Sequence, residues 1–99
     1  HEFIYSSENR PVSMTAINIH SDEFDALERF QFVQYEKGSV FFEFTSKAEL
    51  EPATEKAIER LLMSKLLDGF DLQIRRVEEI KLSKNGKQTF LRQEMKPDE

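Results

Sequence analysis

Phe30-Gln31-Phe32-Val33-Gln34-Tyr35-Glu36-Lys37-Gly38-Ser39-Val40-Phe41-Phe42-Glu43-Phe44 is the stretch that decides the fold. Two β-rich, aromatic runs flank Glu36-Lys37-Gly38-Ser39, a short gap containing a glycine, and that arrangement predicts a β-hairpin. Phe30, Phe32, Phe42 and Phe44 alternate with polar or smaller residues. Successive side chains of a strand point to opposite faces, so these rings share one face, which reads as core packing rather than base stacking.

On the C-terminal side of the hairpin, Pro52 suits the first position of a helix, where a missing N–H does no harm. Ala53, Ala57, Ile58, Leu61, Leu62 and Leu66 then fall on one face at helical spacing, with Gly69 as the stop. On the N-terminal side, Ser21 is a candidate cap for a helix beginning Asp22-Glu23, with Phe24 and Leu27 facing the core at i and i+3. Glu2-Phe3-Ile4-Tyr5 reads as a strand ending at the polar stretch Ser6 to Pro11, and Val12 to Ile19 as a second short one. After the long helix, Leu72, Ile74 and Val77 predict a strand that Ile80 and Leu82 continue. Asn85-Gly86 predicts a hairpin turn into Phe90-Leu91, and Met95 to Glu99 a frayed tail. The resulting expectation is one α+β domain over residues 1–99. Its small β-sheet is covered on one face by two helices, in β-α-β-β-α-β order with a final β piece.

Nine phenylalanines with no tryptophan and no cysteine imply a core of Phe, Leu, Ile and Val without cross-links, which fits a reducing compartment. No apolar run approaches the roughly 18 residues of a membrane span, and no basic-then-apolar signal pattern opens the chain, so a soluble, cytoplasmic protein with no membrane partner is expected. A net charge of −5 argues against general nucleic-acid binding through phosphates. The charge is uneven. Residues 1–70 hold 13 acidic against 7 basic residues, whereas Arg75, Arg76, Lys81, Lys84, Lys87 and Arg92 face only Glu78 and Glu79 between 72 and 92. That stretch is either suited to an anion or acidic partner, or is a set of solvated strand and turn positions.

Self-contained chemistry finds little support. His1 and His20 are the only histidines and no thiolate accompanies them, so no metal is expected. No Gly-x-Ser-x-Gly elbow surrounds a serine, and three glycines at 38, 69 and 86 cannot build a phosphate loop. Glu78 and Glu79, adjacent in a strand, point to opposite faces and cannot share one reacting atom. Lys87 stands at the exit of the Asn-Gly turn, where a lysine either reaches an anion held against the tip or is an ordinary solvated turn residue.

Glu79-Ile80-Lys81-Leu82-Ser83-Lys84-Asn85-Gly86-Lys87 resembles the last motif of the adenylate-forming ligases, an apolar strand followed by a small residue, Gly and the catalytic Lys. The order of elements resembles their C-terminal lid domain, most closely that of the phenylacetate–CoA ligase branch and its relatives in capsular polysaccharide gene clusters. Phe30-Gln31-Phe32-Val33-Gln34 is similar to that branch's strand after the first helix, and His1 through Met14 to the segment after the interdomain hinge. His1 in place of the hinge-side acid, Met14 and Lys81 in place of prolines, and a loop at Ser7 to Arg10 without glycine depart from the pattern.

What the resemblance implies is ATP-dependent activation of a carboxylic acid as an acyl-adenylate, then transfer to CoA or another acceptor. It implies Lys87 as the catalytic residue and Gly86 beside it at the nucleotide. The large N-terminal domain of the same enzyme would be the partner, with ATP and CoA bound by the full-length enzyme and by nothing in these residues alone. From a different class, the order of elements also admits a free-standing ferredoxin-like binding or regulatory module, and a preceding region of some 300 residues in the gene, a size taken from the family, separates the two.

Overall fold

The chain is described here from a computed structural model, covering residues 2–17, 22–66, 68–82, 86 and 89–95. Its elements are β1 (Phe3–Tyr5), β2 (Pro11–Ser13), β3 (Arg29–Glu36), β4 (Ser39–Thr45), α1 (Pro52–Lys65), β5 (Asp71–Arg76) and β6 (Leu91–Gln93), with 3-10 turns at Met14–Ala16 and Asp22–Ala26. It is a small α+β domain with a mixed sheet and, among the described residues, one α-helix.

The predicted hairpin forms. β3 and β4 pair antiparallel across the two-residue turn Lys37-Gly38, with Phe30 opposite Phe44 and Phe32 opposite Phe42. Gly38 has φ +80°, a conformation a Cβ disfavours. Its amide donates to the Tyr5 carbonyl at 2.9 Å while its own carbonyl accepts from Asp71 N at 2.7 Å, so this one turn ties β1 to the start of β5.

α1 begins with Pro52 at its first turn, as expected, and buries Ile58 and Leu62. It connects β4 to β5, which lie side by side and parallel. The four-stranded sheet runs β5-β4-β3-β6, with β6 parallel to β3 on the other edge. Neighbouring β4 and β5 make a direct β-α-β crossover, whereas a ferredoxin-like module splits that unit around another strand.

Two expectations are corrected. Where a first helix was expected at Asp22, the described residues form a single 3-10 turn, Asp22–Ala26, with Phe24 buried and Leu27 packed against the core. Residues i and i+3 eclipse on a 3-10 helix, so the Phe24/Leu27 spacing serves it as well as an α-helix. The sheet is therefore covered by α1, this turn and the β1–β2 hairpin rather than by two helices. Further, Ile80 and Leu82 lie outside any strand and β6 pairs with β3, so among the described residues the expected hairpin pairing of Ile80-Leu82 with Phe90-Leu91 is not formed. The expectations for His1, His20, the Ser21 cap, Lys84, Asn85, Lys87 and the end of the tail fall outside the described residues.

The phenylalanine stripe is core. Phe32, Phe42, Phe44, Val40, Ile58 and Leu62 are almost wholly buried, joined by Ile4, Val12 and Met14 of the N-terminal hairpin. Phe32 and Phe42 meet edge to face at 5.1 Å between centroids, and Phe24 meets Phe42 likewise at 6.0 Å, a preferred arrangement of ring quadrupoles. Gln34, fully buried on the same face, receives the Tyr5 amide at 2.9 Å and donates to the Tyr5 carbonyl at 2.8 Å. Its side-chain amide thus extends β1's hydrogen bonding as a strand would.

Candidate functional site

The face of the sheet turned away from α1 carries the odd-numbered residues of β3 to β5, and its register decides what meets. Gln31 lies opposite Glu43, which lies beside Arg75, while Val33 lies between Phe41 and Arg92. A polar cluster follows from that placement. Glu43, its side chain only 7% exposed, accepts a hydrogen bond from Arg75 and lies 3.5 Å from Arg92 Nη2. Arg92 also pairs with Glu94 at 3.2 Å. Two cations around one buried carboxylate satisfy the rule that a buried charge be paired.

Aromatic rings complete the face. The Arg75 guanidinium lies 4.3 Å from the centroid of Phe41, and that of Arg92 5.8 Å from Tyr35, both within cation–π reach. Tyr35 and Phe41 themselves meet edge to face at 5.8 Å. Burial of the Arg92 guanidinium pulls its pKa down, but hydrogen bonds to Tyr35 and Glu94, with the charge of Glu43, outweigh this and raise it. Its cation is therefore held throughout the range in which proteins fold.

Above this cluster stands Gln31, fully buried, whose Nε2 reaches the Thr89 carbonyl at 3.0 Å, Thr89 Oγ1 at 3.2 Å and the Lys81 carbonyl at 3.4 Å. Lys81 and Thr89 flank the connection that contains Gly86 and Lys87. Gly86 is exposed with φ +75°, and a Cβ built on it would meet nothing within 4 Å. Lys87, the predicted catalytic residue, lies outside the described residues.

The basic stretch 72–92 is therefore not one open cationic surface. Arg75 and Arg92 converge on Glu43, and Arg76 donates to Ser46 Oγ at 3.0 Å and to the Ser46 carbonyl at 2.9 Å. Lys81 is exposed at the stem of the connection, as are Glu78 and Glu79, which take part in no strand. A groove of about 720 Å³ lies between the start of α1 and the end of β5. It presents Glu49, Glu55, Glu59 and Glu78 against Lys56 and Arg76, a wall that repels polyphosphate. Among the described residues no group of three His, Cys, Asp or Glu is placed to hold a metal, and no helix is long and apolar enough to cross a membrane.

Sequence reasoning missed Glu43, Gln31, Tyr35 and Arg92 as a cluster. The available signal was polar residues at alternate positions of an otherwise apolar hairpin, Gln31 and Glu43, both on the face opposite the phenylalanine stripe. Comparison with models of protein families, with curated proteins and with solved structures finds no match to this chain.

Proposed function

We propose that these residues form the C-terminal lid domain of an acyl-adenylate-forming ligase, similar to the phenylacetate–CoA ligase branch, with Lys87 as the electrostatic catalyst of adenylation. The resemblance at Glu79 to Lys87 motivates the reading. The observation that carries it is the exposed, left-handed Gly86 immediately before Lys87, with open space around it. A glycine there lets the backbone approach another surface closely.

The chemistry explains why a lysine is wanted. As a carboxylate attacks the α-phosphate of ATP, negative charge spreads over both groups, and a cation delivered into a water-poor site lowers the barrier. A domain that supplies only the cation can leave after the first step, so that transfer to a thiol proceeds against a different face. The acidic groove beside α1 offers ATP no cradle, and in this reading the nucleotide and the acid are bound by the large N-terminal domain.

Acid-dependent exchange of pyrophosphate into ATP tests the reading, with the natural gene product assayed against a panel of arylacetic, benzoic and aliphatic acids. Exchange with at least one acid by the gene product, and background exchange by the 99 residues alone, is expected. Robust exchange by the 99 residues alone, or none by the gene product with any acid, sinks it and leaves the binding-module reading. Under that second reading the exposed Tyr35 and the Arg75–Phe41 pair on the outer sheet face are the contact residues.

A further inference from the structure

We propose that Gln31 is the positioning residue of the connection that carries Lys87: its buried amide holds the two stems, Lys81 and Thr89, at a fixed separation. The role of the connection rests on the lid-domain reading. The clamp itself rests on geometry.

Gln31 has no solvent to satisfy it, and its partners fix how the amide is turned. Two backbone carbonyls need donors, so Nε2 faces them, while the Arg92 Nε donor lies 3.4 Å from Oε1. The NH2 group has two protons for three acceptors. Thr89 Oγ1 donates to the Leu91 carbonyl at 3.0 Å and so stands as an acceptor toward Gln31. One proton thus serves Thr89 and the other Lys81, stems far apart in sequence from Gln31 and joined through one side chain. Among the described residues neither stem pairs with the other as a strand, so no strand pairing there replaces this link. Gln31 in turn is held from below by the cluster of Arg92, Glu43 and Arg75, which couples the connection to the rigid centre of the sheet.

Gln34 supplies the control. It is equally buried in the same strand, but its amide serves Tyr5 and, at 3.1 Å, Gln93 Nε2 on the other face, and neither Lys81 nor Thr89. Gln31→Met and Gln34→Met each remove one buried amide of similar shape, and only the first touches the stems.

The chain has no cysteine, so Leu82→Cys beside the Lys81 stem with Met63→Cys on α1, both exposed, gives a single pair of thiols for spin labels. In this doubly labelled background a narrow distance distribution is expected, broadened by Gln31→Met and unchanged by Gln34→Met. An unchanged distribution in Gln31→Met overturns the clamp. In the natural gene product, Gln31→Met is expected to lower the adenylation half-reaction by on the order of 10- to 10²-fold, the scale of a small misplacement of a reacting group. Transfer from pre-made acyl-adenylate is spared, and Gln34→Met leaves the ratio of the two steps as in wild type. If Lys87→Ala cripples adenylation while Gln31→Met does not, the positioning role falls and the lid reading stands. If Lys87→Ala leaves adenylation intact, the lid reading falls, the positioning role with it, and the distance measurement still decides whether the clamp exists.

Discussion

Replacing Glu43 by alanine removes the one carboxylate between Arg75 and Arg92, and the structure sets what this costs. Breaking a buried ion pair by deleting one partner costs about 3–5 kcal/mol, mostly because the other charge is left uncompensated. The two arginines differ in how far this applies. The Arg75 side chain is 44% exposed and turns to water, whereas that of Arg92 is 14% exposed and, among the described residues, keeps Glu94 as its one remaining carboxylate partner. A loss near the lower end, about 3 kcal/mol, follows. With about 4–8 °C per kcal/mol for a domain of this size, the melting temperature falls by roughly 12–24 °C. Stability of a domain this long is about 5–15 kcal/mol, so the variant still folds at low temperature. Arg75→Ala, by contrast, removes a half-exposed partner and leaves Glu43 paired with Arg92, for a loss of at most about 1 kcal/mol. Thermal melts followed by circular dichroism read both. A Glu43→Ala variant within about 0.5 kcal/mol of wild type, as for an ordinary surface change, refutes the reasoning.

Gly38→Ala and Gly86→Ala place the same methyl group on two left-handed glycines. At Gly38 the new Cβ meets Ser7 Cβ at 3.0 Å and Ser7 backbone atoms at 3.1 Å, so crowding adds to the left-handed strain and a loss of about 2–4 kcal/mol is expected in denaturant melts. At Gly86 the space is open and only the strain of about 1–2 kcal/mol remains, so equal losses at the two sites contradict the packing described. Hydrogen exchange at the Gly86 amide is expected to be faster than at Leu62 in α1, because the first lies in open space and the second in the core. Protection at Gly86 equal to that of Leu62 counts against an exposed tip.

The hairpin β3–β4 and helix α1 were legible because their signals are local. Period-two alternation around Gly38 and period-3.6 spacing from Pro52 to Leu66 each specify an element without knowledge of the rest. The Asn85-Gly86 signal predicted a turn, and Gly86 does take a positive φ. Its flanks, however, find partners elsewhere: Leu91 pairs with Phe32, and Ile80 is buried outside any strand. Strand partnership is set by the whole sheet, and a turn dipeptide does not carry it. The Asp22 helix failed for a narrower reason, since two apolar residues three apart fit either helical period. The cluster of Glu43, Arg75, Arg92 and Tyr35 spans four strands and exists only once the cross-strand register is known. The basic count between 72 and 92 pointed to the right end of the molecule but not to the carboxylate that gathers two of its arginines.

The most direct test of the central claim separates the two half-reactions of the natural gene product carrying Lys87→Ala. Acyl-adenylate formation is followed by pyrophosphate release with the acid the wild type activates best, and transfer is followed from the pre-made acyl-adenylate. Removing a preorganised charge stabiliser costs on the order of 10²–10³-fold, so adenylation is predicted to fall by that factor or more while transfer stays near wild type. Equal loss in both steps, or no loss in either, contradicts the assignment of Lys87.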